Sequence, residues 1–172
     1  MREVVVVDYL SSWPLEYESE KRLIEPLIHH LRAEIHHIGS TSVQGLAAKP
    51  IIDILIEVDD LADIDKLNSA FLEIGYSAHG ENGIPERRYF EKGGEDRTHQ
   101  IHVFLRNSEN AIRHLAFRDY LRAHSEVAEQ YADLKKHIAK QCDHSIEKYC
   151  DGKHEFVQYH EKIAVSCYSP PA

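Results

Sequence analysis

IHHIGSTSVQGLAAKPIIDILIEV, residues 35–58, decides how the rest of the chain is read. Two apolar runs flank a segment of small residues. The first, 35–38, stops at Gly39-Ser40-Thr41-Ser42; the second, 51–58, is rich in Ile and carries two carboxylates, Asp53 and Glu57. A strand with almost no polar break is what a sheet covered on both faces requires. A carboxylate set into such a strand is costly unless it is paired or binds a cation, so Asp53 calls for a partner.

The segment between the runs supplies a chemical idea. Gly39 permits a tight turn and close approach by another group. Ser40, Thr41 and Ser42 offer hydroxyls and backbone N–H groups where a short helix would begin, a natural anion site. Lys49 stands just before the acidic strand. A phosphate cradle beside a carboxylate able to hold a divalent cation is the minimum set for phosphoryl or nucleotidyl transfer. The plain alternative is a capped turn next to a satisfied buried Asp.

Composition narrows the classes. The chain has 172 residues, which suits one domain, here 1–165, with a flexible tail at 166–172. Its 42% apolar and 28% charged content is that of an ordinary globular protein. A net charge of −9 argues against an extended nucleic-acid partner, which needs a basic face, but leaves room for a local basic pocket. No apolar run is long enough to span a bilayer, and MREVVVVDYL is too short, and too acidic at its end, for a signal peptide. No membrane association is expected. Cys142, Cys150 and Cys167 are odd in number and lack a Cys-x-x-Cys pair, which fits a reducing, cytoplasmic location.

Working outward, residues 4–7 form a short β-branched run read as an edge strand. Residues 15–33 show helical spacing interrupted by Pro26, which predicts a kink or two pieces. Asp59-Asp60 caps a helix over 61–74 that Gly75 ends. Residues 76–79, 87–92 and 98–105 read as further strands. On the last, Thr98, Gln100, His102 and Phe104 share one face, and His99, Ile101, Val103 and Leu105 the other. Everything after Asn107 reads helical, over 109–124, 126–142 and 145–164. The fold class is α+β: a mixed sheet of four to five strands flanked by helices, followed by a helical C-terminal third.

The run HHIGSTSVQGLAAKPIIDILIEV closely resembles the signature of the GrpB-like family. Further matches follow in order: Gly75-Tyr76, Arg88-Tyr89-Phe90, residues 98–103 (THQIHV), 117–124 (FRDYLRAH), 131–135 (YADLK), and Tyr149 with Lys153. The resemblance covers nearly the whole chain. It implies a polymerase-beta-type nucleotidyltransferase fold, in a family that also occurs fused to dephospho-coenzyme A kinase. The sequence departs from the family pattern at His36, where Glu is expected, at Gln44, where Pro is expected, and at Gln100, where His is common.

In nucleotidyltransferases of this kind, the strand after the Gly-Ser turn carries two carboxylates two residues apart, and a later strand adds a third. Here Leu55 stands two residues after Asp53. Glu57 shares that face, but four residues of strand place it roughly 13 Å away, against the roughly 4 Å of a two-metal site. A one-metal version remains. Asp53 and His102 are its candidate catalytic and metal-holding residues, with Mg²⁺ or Mn²⁺ as cofactor. Gly39, Ser40, Thr41, Lys49, Arg88, His99, Arg118, Lys135 and Lys153 are candidates for holding a nucleotide or phosphorylated small molecule. Arg118-Asp119 reads equally as an interhelical ion pair, and Lys135 and Lys153 as solvated helix faces. The functional expectation is a nucleotidyltransferase-like protein that binds a nucleoside triphosphate and a divalent metal and transfers a nucleotidyl or phosphoryl group. Its alternatives are a non-catalytic nucleotide-binding or regulatory module on the same scaffold and, further behind, a metal hydrolase built on His37, His99 and His102.

Overall fold

Two strands, β2 (Ile52–Val58) and β5 (His99–Leu105), lie parallel at the centre of a five-stranded sheet in the computed structural model, which describes residues 3–170. β1 (Glu34–Ile38) pairs antiparallel with β2 at one edge. On the other side β4 (Arg88–Lys92) pairs antiparallel with β5, and the two-residue β3 (Ser77–Ala78) closes that edge, giving the order β1-β2-β5-β4-β3. Every residue of β2 except Asp53 is buried, as its Ile-rich sequence requires of a central strand.

The two faces are covered by different parts of the chain. Helices α1 (Trp13–Ile28), α2 (Leu61–Asp65) and α3 (Asn68–Glu73) seal one face, where Ile24, Phe71 and Trp13 meet Ile54, Ile56, Ile101 and Val103. On the other face lies α4 (Glu109–Ala123), whose Ala111 and Leu115 pack on Ile38, Leu55 and Phe104. Helices α5 (Ser125–Gln141) and α6 (Ile146–Cys167) pack against α4 and each other. A separate cluster of Val43, Leu46, Leu121 and Tyr131, with Phe156 against it, ties the loop after β1 to these helices.

Several elements differ from the expected ones for local reasons. Residues 4–7 form no full strand; Val7 makes a single antiparallel bridge to Ala48. Pro26 falls in the last turn of α1, so the helix stops at Ile28 instead of kinking. The helix expected over 61–74 is two, because the Leu67 N–H bonds to the Ile64 carbonyl, tightening the chain between them. Its start is as expected: the Asp60 carboxylate accepts from the Ala62 N–H at 2.9 Å. At the far end α6 runs on to Cys167, and Tyr168 packs against the Ile38–Leu55–Phe104 cluster, so part of the expected 166–172 tail is built into the fold. Met1, Arg2, Pro171 and Ala172 lie outside the described residues. No described helix is long and apolar enough to cross a membrane.

Candidate functional site

β1 ends at Ile38, whose register partner is Asp53. The chain must therefore turn directly beside that carboxylate. Gly39 makes the turn at φ +72°, and a Cβ there would stand 2.8 Å from Asp53 Oδ2. Both the conformation and the space demand glycine. One 3₁₀ turn, Ser40–Ser42, follows, closed by the Ser42 N–H on the Gly39 carbonyl at 3.1 Å. Asp53 is not the buried carboxylate that the strand pattern suggested. Its side chain is 28% exposed and opens into a cavity of about 260 Å³ between the sheet and α4–α6, so water and His102 relieve the expected cost.

His102 stands on the neighbouring strand, its Nε2 3.3 Å from Asp53 Oδ1. Its Nδ1 faces Arg87 Nη1 at 3.4 Å. A guanidinium can only donate, so Nδ1 accepts, the ring proton sits on Nε2, and Nε2–H donates to Asp53. Arg87 is itself fixed by donating to the backbone carbonyls of Glu81 (3.1 Å) and Asn82 (2.9 Å) and lies 4.9 Å over the Tyr89 ring. His114, on α4, stacks on His102 with ring centres 5.6 Å apart, and burial holds it well below the usual imidazole range. In this arrangement His102 orients Asp53, and both its ring nitrogens are engaged.

The opposite wall is cationic. Lys135 of α5 is 1% exposed and donates to Ser40 Oγ at 2.7 Å, with its ammonium 4.4 Å over the Tyr131 ring. Burial, and behind it the charges of Lys153 and Lys49, pushes Lys135 down to about 6. Lys49 and Lys153 both lie over the Tyr149 ring, at 5.0 and 5.1 Å, and line the same cavity. The solvated-face reading of Lys135 is overturned; it is among the most buried side chains of the protein.

The other candidates divide. Gly39, Ser40, Thr41, Lys49, Asp53, His102, Lys135 and Lys153 all line the cavity. The Thr41 hydroxyl is tied away from it, 2.9 Å from His37 Nε2. Arg118 borders an adjoining space of about 340 Å³ that also touches Ser40 and Asp53, but its guanidinium donates to Asp119 (2.9 Å) and to the His37 carbonyl (3.3 Å). Arg88 and His99 lie outside the site. Arg88 is opposite Val103 and points to the α1–α3 side, where it holds Asp65 at 2.6 and 3.2 Å. His99 faces Glu20 and Tyr76 on that side. His37 also belongs there, stacked at 4.7 Å on Tyr17 of α1, so His37, His99 and His102 cannot share an ion.

Leu55 is fully buried against α4, and Glu57 is committed to His36 Nε2 and the Asn107 N–H, both at 3.1 Å, which hold its carboxyl below the usual range. The second-metal positions are thus filled by packing and by pairing. Arg87 and His114 are participants that the sequence alone left unmarked, and Tyr131 and Tyr149 were noted only as matches to the family pattern. His114 carried a usable signal, since it precedes Arg118 by one helical turn and so shares its face.

This arrangement is that of a polymerase-type nucleotidyltransferase fold: a Gly-Ser turn, an acidic central strand, and a helical unit closing a cleft over them. Cid1, solved in complex with the UTP analog UMPNPP, matches 77% of this chain and 42% of its own at TM-score 0.53 and 14% identity, a likeness of fold. The chain belongs to the GrpB family, whose model, described as GrpB protein, matches residues 3–162. The crystal structure of the conserved protein GrpB from Enterococcus faecalis superposes at TM-score 0.90 with 40% identity, covering 94% of this chain and 98% of that one. UPF0157 protein YqkA of Bacillus subtilis is 43% identical over 95% of this chain, which spans 48% of that relative's length. A dephospho-CoA kinase of Mycolicibacterium paratuberculosis carries a matching stretch, 23% identical over 80% of this chain and 40% of the kinase.

Proposed function

We propose that the cleft binds a nucleoside triphosphate with one divalent metal ion and transfers a nucleotidyl or phosphoryl group from it. The observation that carries this reading is the convergence, on one cavity, of the Ser40 turn, the Asp53 carboxylate and three lysines. Mg²⁺ or Mn²⁺ fits here as a single ion, since one carboxylate plus substrate phosphate oxygens is an ordinary ligand set for Mg²⁺. Asp53 would hold it, and when bound it would supply charge neutralisation at the transferring phosphate. His102, with its proton on Nε2 and Arg87 behind it, keeps Asp53 aimed into the cavity. Ser40 and the backbone of its turn bind phosphate oxygens, and the lysines offset the charge of the leaving phosphates.

The non-catalytic alternative, a nucleotide-binding or regulatory module, rests on Leu55. With no second carboxylate in place, the scaffold supplies binding more fully than it supplies chemistry.

Thermal unfolding across a panel of nucleoside triphosphates with and without Mg²⁺ or Mn²⁺ tests both. A ligand at a hundred times its Kd stabilises by about 2.7 kcal/mol, a readily measured shift. The expected result is a metal-enhanced shift in the wild type that Asp53→Asn loses while still unfolding cooperatively. Product formation by the wild type then separates transfer from binding. A flat panel would sink both readings.

A further inference from the structure

An ammonium as buried as Lys135 is expensive unless negative charge stands beside it. Among the described residues none forms an ion pair with it; its contacts are the Ser40 hydroxyl and the Tyr131 ring. The groups around it are few. Tyr131 lies beneath it on α5, and α6 contributes Tyr149 and Lys153. The loop before β2 contributes Lys49, α4 contributes His114, and the sheet contributes Asp53 and His102. Burial pushes the Tyr131 and Tyr149 hydroxyls up and His114 down, so all three stay neutral. Among the described residues Asp53 is the one carboxylate lining this cavity, against three lysines. In a chain of net charge −9 this is a concentrated positive site.

We propose that Lys49, Lys135 and Lys153 form a polyphosphate subsite that captures a chain of two or more phosphates without any divalent metal, and that filling it adds a proton to Lys135. The proposal deepens the nucleotide reading of the cleft and rests on it. Two ammonium groups, joined by a third once Lys135 takes its proton, ask for more charge than one phosphate carries, and linked phosphates present several oxygens within a space of this size. The same groups do what a second metal ion would do, in a fold whose second carboxylate position is Leu55. A phosphate oxygen beside Lys135 favours its charged form, so ligand and proton bind together.

Inorganic tripolyphosphate, which has no base or sugar, separates this proposal from the broader one. Calorimetric titration with a chelator present, in two buffers of different ionisation heat, reads affinity and proton uptake together. The expected result is metal-free binding in which the wild type takes up about one proton more than Lys135→Met, a difference that cancels the proton tripolyphosphate itself carries. Its affinity should fall about tenfold per pH unit more steeply than in that variant from pH 7 to 9. Lys135→Met, checked for cooperative unfolding, should lose that extra proton and bind roughly 10–100-fold more weakly. Lys153→Met, from the less buried side, should lose affinity and keep the extra proton. If Mg²⁺–triphosphate binds but tripolyphosphate does not, the subsite is wrong and the nucleotide reading stands. If tripolyphosphate binds with no more proton uptake than in Lys135→Met, or equally well to that variant, the role given to Lys135 is wrong. If neither ligand binds, both readings fall.

Discussion

The two faces of the sheet draw on the same two strands and come out opposite. Toward α1–α3, β2 and β5 present Ile54, Ile56, Ile101 and Val103, each fully buried. Toward α4–α6 they present Asp53, Leu55, Glu57, Gln100, His102 and Phe104, of which Leu55, Glu57 and Phe104 are buried and Asp53, Gln100 and His102, around the cleft, are not. Both faces are covered by helices, yet only one is dry. On the first, helices lie directly on the strands; on the second, α4 touches the middle of the sheet while α5 and α6 stand off beside Asp53 and leave a cleft. Covering a sheet and sealing it are separate achievements, and the site occupies the difference.

The strongest way to break the contrast is to write the missing carboxylate into the sheet. Leu55→Asp restores the spacing of a two-carboxylate strand but sets the charge among Ile38, Phe104, Ala111 and Leu115. Chemical denaturation should show a loss of about 4 kcal/mol or more, with no gain of activity. A variant that folded normally and gained turnover would show that the cleft extends two residues further along β2 than the packing allows.

An intermediate effect comes from acid on the dry face. Burial pushes His37 down to about 4. Between its unfolded pKa, about 6.5, and that value, the unfolded chain holds the extra proton, so stability falls as the pH drops through this window. Below about 4 both states are protonated and the loss is complete. Its size is at most about 3 kcal/mol. The slope of denaturation free energy against pH should flatten in His37→Gln; an unchanged slope would assign the acid loss to other groups, such as His114.

The smallest effect sharpens the comparison across adjacent residues. Arg88→Ala removes a partly exposed ion pair on the far side and should cost no more than about 1 kcal/mol, leaving any nucleotide-induced melting shift intact. Arg87→Ala removes the donor that fixes His102, and should reduce that shift. Equal behaviour of the two variants would mean that His102 does not depend on Arg87.

The central strands, the Gly39 turn and the three C-terminal helices were legible in the sequence because each has a local cause: Ile-rich runs, a glycine at a forced turn, caps and helical spacing. The sharing of faces along each strand was also legible, Asp53 with Glu57 and Gln100 with His102, since alternation along a strand is a strict rule. Arg88 and His99 misled for the same reason. Both are polar residues on strands, and alternation alone does not say which face will be dry. Lys135 was the harder case. On an amphipathic helix it reads as a solvated lysine, and its burial depends on Tyr131, Ser40 and α6, contacts that no local pattern announces. Arg87 was read as the first residue of a strand over 87–92, whereas β4 begins at Arg88 and no local pattern announces the contact of Arg87 with His102.

Asp53 and its turn come from the first half of the chain, whereas Lys135 and Lys153 come from its last third. Up to β5 the chain supplies the Gly39 turn, one carboxylate (Asp53) and one lysine (Lys49) to the cavity, a balanced pair of charges. Lys135 of α5 and Lys153 of α6 are the surplus of basic groups over acidic ones. The basic surplus of the cleft therefore belongs to the C-terminal helices, while its acidic strand and its turn belong to the sheet.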